Sequence, residues 1–95
     1  MMIIRIVKMT FKDDFSNTFA EFAQTIKPKI EAVEGCLQLQ MLRDAENPNI
    51  FFTYSKWESE NHLNAYRKSE LFGQVWPKTK TWFAEKPETW TVNCL

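Results

Sequence analysis

Stretches in which apolar and polar positions alternate give way, along this chain, to stretches in which apolar residues recur every three or four positions. Residues 2–11, MIIRIVKMTF, are rich in β-branched side chains and predict a strand, with Ile4 and Ile6 on one side and Ile3, Arg5, Val7 and Met9 on the other. Phe15, Phe19, Phe22, Ile26, Ile30 and Val33 then form a helical stripe. Asp13 or Asp14 can cap its start, Pro28 should kink or split it near Thr25, and Gly35 suits a left-handed C-terminal stop. Residues 36–43, CLQLQMLR, alternate again, and the polar stretch DAENPN separates them from a further strand at 50–57, IFFTYSKW. The short polar connection predicts an antiparallel hairpin. Ser59 opens a helix carrying Leu63 and Tyr66, and Ser69 is a second N-cap. Phe72, Val75, Trp76, Thr79, Trp82 and Phe83 follow at helical spacing, with Pro77 expected to kink or restart the helix. Residues 88–94, ETWTVNC, alternate as a last strand.

The order β-α-β-β-α-β over residues 1–95 is that of a single α+β domain of ferredoxin-like type, in which two helical regions cover one face of a four-stranded antiparallel sheet. One face of the strands is wholly apolar. The other mixes Arg5, Gln38, Gln40, Thr53, Ser55 and Thr91 with Ile3, Val7, Leu42 and Phe51. This reading expects the mixed face to be the uncovered one and to serve as a homodimer surface.

Composition narrows the function. Twelve Lys+Arg balance twelve Asp+Glu, which argues against a nucleic-acid partner, since binding nucleic acid needs a basic surplus on some face. No apolar run is long enough for a transmembrane helix, and the charged N-terminal stretch does not read as a signal peptide, so a cytoplasmic protein without membrane contact is expected. The two cysteines, Cys36 and Cys94, fall on strands expected at opposite sheet edges, so both are read as free thiols, with Cys36 buried. A single His, no metal-ligand spacing and only two Gly predict no metal, haem or flavin cofactor. Eight Phe, four Trp and two Tyr exceed what a core this small would use, and point to an internal pocket, a subunit interface or both.

Trp57-Glu58-Ser59, followed by His62-Leu63, Ala65-Tyr66, Ser69 and Phe72, resembles the signature of the antibiotic biosynthesis monooxygenase superfamily, and Gly35-Cys36 resembles that superfamily's step between first helix and second strand. The resemblance implies a dimeric α/β barrel. It also implies a cofactor-independent monooxygenase acting on a small aromatic, quinol or quinone-like compound. The alternative within the same fold is a non-oxygenase protein, small-ligand-binding or isomerase-like, with a stress role, and a purely structural dimer is a third reading. Polyketide-oxygenating relatives carry Asn where this chain has Thr53. Haem-degrading relatives carry an iron-ligating His where it has Trp76, which argues against haem chemistry.

A flat substrate that supplies its own electrons to O₂ needs an apolar slot, a few polar groups and a means of handling a proton. Trp57, Tyr54, Tyr66 and Trp76 are expected to wall such a slot, with Thr53 and Leu63 as further substrate contacts. His62, whose imidazole could exchange a proton with substrate, and Tyr66 are the candidate catalytic residues, with His62 at or near the rim.

Overall fold

The computed structural model describes Met1–Leu95. Its elements run β1 (Ile3–Thr10), α1 (Ser16–Glu31), β2 (Cys36–Arg43), β3 (Ile50–Trp57), α2 (Glu60–Arg67), α3 (Glu70–Lys80) and β4 (Glu88–Asn93). The four strands form one antiparallel sheet in the order β2-β3-β1-β4, the ferredoxin-like arrangement. β2 and β4 are therefore the edges. Cys36 and Cys94 are free, Cys94 exposed and Cys36 half-buried rather than buried.

The local signals mostly decide the element ends. Ser59 and Ser69 cap α2 and α3 by accepting from the backbone N–H of His62 and Phe72. Gly35 has φ 87°, and a Cβ there would run into the imidazole of His62, so both conformation and space demand glycine. Neither proline breaks its helix, contrary to the sequence expectation. Pro28 lies in the last turn of α1 and Pro77 in the last turn of α3, so each forfeits one backbone bond, and the carbonyls affected belong to exposed Gln24 and Gly73.

The start of α1 also differs. No side chain caps it. A short 3₁₀ turn at Asp13–Phe15 leads in, and Asp13 instead accepts from the Asn49 amide, whose oxygen accepts from Ser16 Oγ. This ties the helix start to the β2–β3 loop. Trp82 and Phe83 leave the helical path because extended backbone pairing captures them. Lys12 donates to the Trp82 carbonyl, Ala84 to that of Thr10, and Phe83 bridges Phe11.

The largest correction concerns which sheet face is covered. Ile3, Arg5, Val7 and Met9 pair with Trp57, Ser55, Thr53 and Phe51, and this set faces the helices. Ile3, Met9, Phe51 and Trp57 are buried there, and Thr91 joins them through its pairing with Arg5. The expected open face, apart from Gln38, Gln40 and Leu42, is thus the inner one. The outer face carries Ile4, Ile6, Phe52, Tyr54, Trp90 and Val92, with Trp90 45% and Val92 41% exposed. Patterning alone reads a mixed face as solvent-facing. Here the mixed face borders a hollow, and its polar groups point into it.

Candidate functional site

Three buried clusters brace the space between sheet and helices. Met9, Phe11, Phe19, Ala23 and Phe51 close one end. Ile26, Ile30, Leu39 and Val75 hold α1 against β2 and α3. Ile3, Trp57 and Leu63 seat α2. They do not fuse into one solid core. Between them lies a cavity of about 350 Å³, lined by 20 residues of which 13 are hydrophobic, which is the character of a small-molecule pocket rather than a packing defect.

One wall is a run of rings. The Trp57 and Tyr66 rings stack at 5.1 Å, Tyr66 meets Phe72 edge-on at 5.3 Å, Phe72 stacks on Trp76 at 6.0 Å, and Trp76 meets Phe83 at 5.7 Å. The chain geometry produces this directly. Trp57 ends β3 pointing inward, Ser59 turns the chain into α2, and Tyr66 lies on the α2 face that folds back over the sheet. Ser69 then starts α3, whose Phe72 and Trp76, one turn apart, extend the same wall. Trp57 is fully buried, and its Nε1–H donates to Ser55 Oγ at 2.9 Å, which fixes the plane of the indole.

Polar groups are few. Arg5, Thr53, Ser55 and Thr89 reach the cavity from the sheet, and Tyr66 and Arg67 from α2. The Tyr66 hydroxyl has no hydrogen-bond partner within the protein. Burial, with a smaller contribution from the nearby Cys36 thiol, pushes its pKa up to about 12. It is therefore a protonated donor at neutral pH, suited to an oxyanion and unsuited to serve as a base.

Of the residues singled out from sequence, Trp57, Tyr66, Thr53, Trp76 and Leu63 come together on this cavity. Tyr54 does not. It pairs with Ile6 and Gln40 on the outer face, because one step along a strand reverses the side chain. His62 is also outside the lining. Its ring packs over Gly35, with Nδ1 2.7 Å from Ser59 Oγ and Nε2 3.5 Å from Glu58. That environment gives it a place in the junction between β3 and α2. Arg5, Ser55 and Arg67 were not expected in the cavity. The available signal was Arg5 itself, a charge flanked by isoleucines in the middle of a strand.

Residues 2–76 match the sequence model of the family described as antibiotic biosynthesis monooxygenase. The chain belongs to that family. No curated protein matches this family member in sequence. Among solved structures, a conserved protein from Methanosarcina mazei has a TM-score of 0.91 at 20% identity, covering 97% of this chain and 91% of its own. A Mycobacterium tuberculosis protein has a TM-score of 0.91 at 12% identity, covering 100% and 96%. A structure described as an antibiotic biosynthesis monooxygenase has a TM-score of 0.90 at 15% identity, covering 100% and 99%. At these identities the likeness is one of fold. The chain shares their fold, and no helix of it is long and apolar enough to cross a membrane.

Proposed function

We propose that this family member is a monooxygenase that oxidises a small quinol or related hydroxyaromatic without a bound cofactor, and that the cavity beside Trp57 is where it does so. The observation that carries the reading is the aromatic wall Trp57–Tyr66–Phe72–Trp76 facing a cavity of about 350 Å³, with one unpartnered, protonated tyrosine hydroxyl in its lining. A flat ring slides against such a wall, and the Tyr66 hydroxyl then donates to the substrate's ring oxygen and favours its anion. The anion is the electron donor. A quinol and O₂ give a hydroxyquinone and water: one oxygen atom forms a new ring C–O bond in place of C–H, and the other leaves as water. The quinol loses four electrons and O₂ gains four, so the balance needs no further reductant. The chain's own contribution is to orient the ring, exclude water and hold the oxyanion.

The outer sheet face completes the proposal. Ile4, Ile6, Phe52, Tyr54, Leu42, Trp90 and Val92 form an apolar surface that a second copy of the chain would cover, giving a homodimer.

The test is substrate-dependent O₂ uptake by purified protein with a panel of quinols and naphthols. Uptake equimolar with quinone product, insensitive to chelator and to added flavin, is expected, and it should collapse in Trp57→Ala. Panel compounds that bind without O₂ uptake would replace the oxygenase reading with that of a ligand-binding protein.

A further inference from the structure

Two guanidinium groups line the cavity, and no Asp, Glu or Lys does. Arg5 enters from the middle of β1, where its Nη1 donates to Thr91 Oγ1 at 2.6 Å. Arg67 enters from the last turn of α2. Neither has an acidic partner, since the ion pairs of the chain are Lys8–Glu88, Lys27–Glu31 and His62–Glu58. Burial, and then the proximity of Arg67, make the Arg5 guanidinium less basic than usual, so the two charges sense one another. Two like charges at the edge of a largely apolar hollow, one of them on the exposed Arg67, repel one another and attract an anion into the space between them. The chain has as many acidic as basic residues, so acids were available to pair with these arginines, and none does.

The missing charge therefore comes with the ligand. We infer that the cavity takes an aromatic carboxylate, its acid group held between Arg5 and Arg67 and its ring against Trp57 and Tyr66. The guanidinium fork matches the two coplanar oxygens of a carboxylate, which accounts for arginine rather than lysine at both positions. No lysine lines the cavity, and the single charge of a carboxylate is met by two guanidiniums without further cations. A neutral phenol or quinol would make no use of either guanidinium charge. This inference rests on the cavity being an aromatic-ligand site and adds the acid group to that ligand, so the oxidised quinol would be a hydroxyaromatic acid.

The test is run without O₂, so that binding is read apart from turnover. Affinities of 2-naphthoate, 2-naphthol and 2-naphthyl phosphate are measured by quenching of tryptophan fluorescence and by calorimetry. 2-Naphthoate is expected to bind about 10–100-fold more tightly than 2-naphthol, the margin that charge-assisted bonds to a carboxylate provide. Arg5→Met and Arg67→Met should each erase most of that margin while leaving 2-naphthol affinity unchanged. Arg67 is exposed at a helix end, so its variant keeps the fold even if Arg5→Met does not. Equal binding of naphthoate and naphthol would overturn the carboxylate while sparing the aromatic-cavity reading. Tighter binding of the phosphate, or a naphthoate preference that survives both variants, would overturn it as well. Binding of none of the probes would remove the aromatic-cavity reading too.

Discussion

Replacing Tyr66 with phenylalanine deletes one oxygen atom from the cavity wall and keeps the ring that stacks on Trp57. The consequence is legible in alkali. In the folded chain burial holds the Tyr66 pKa at about 12, against the ordinary tyrosine value of 10.0. The fold therefore favours the neutral phenol. Below pH 10 both folded and unfolded chains carry it protonated, and its ionisation does not affect stability. As pH rises from 10 to 12 the unfolded chain loses the proton first, and stability falls by about 1.4 kcal/mol for each pH unit, or roughly 2–3 kcal/mol in all. Tyr66→Phe escapes this loss. The stability of the variant relative to the parent should be flat to pH 9 and rise by about 1.4 kcal/mol at pH 11, read from urea unfolding. Other groups titrate alike in the two proteins and cancel. Absorbance of tyrosinate checks the site directly in a Tyr54→Phe background, where Tyr66 is the remaining tyrosine. An ionisation midpoint near 10 there, or a stability difference that stays flat to pH 12, would show the hydroxyl to be in water and refute the desolvated cavity.

Trp57→Ala should cost about 3–5 kcal/mol, since it removes a fully buried indole, its bond to Ser55 and its stack on Tyr66; chemical denaturation reads the loss, and a cost under about 1 kcal/mol would contradict the packing described. Gly35→Ala forces a side chain into a left-handed backbone and onto the His62 ring, and should destabilise by about 2 kcal/mol or more. Trp90→Lys or Ile6→Lys should shift the mass seen by light scattering from dimer to monomer with the fold kept, whereas Phe51→Lys should unfold the chain because Phe51 is core. His62→Ala should lower stability by about 1 kcal/mol through the lost contact with Ser59 and leave the affinity for aromatic ligands unchanged, as measured by fluorescence titration.

The element order was readable because each boundary carries its own chemistry: serine caps before α2 and α3, glycine after α1, and Asn47-Pro48-Asn49 between β2 and β3. The aromatic side of the cavity was readable too. Trp57 at a strand end, Tyr66 nine residues on and Trp76 in the next helix converge by helical arithmetic, and the resemblance carried by Trp57-Glu58-Ser59 pointed to the same place. The sheet side was not. Period two separates two faces without naming the covered one, and the usual rule that the more apolar face goes inward fails where the interior is a hollow lined by Arg5, Thr53 and Ser55. The same reversal sends Tyr54 outward. His62 lies off the cavity lining for another reason: the close approach of Gly35, invisible in the local sequence, seats its ring over the α1–β2 turn.

In the proposed reaction O₂ gives one of its atoms to a hydroxyaromatic substrate held against Trp57 and Tyr66. Turnover under ¹⁸O₂, with protein freed of metal and flavin, tests it most directly. A product carrying one ¹⁸O atom is expected, with the second atom in water and O₂ consumed equimolar with product. Product without label, accompanied by hydrogen peroxide, would mean simple dehydrogenation and contradict it.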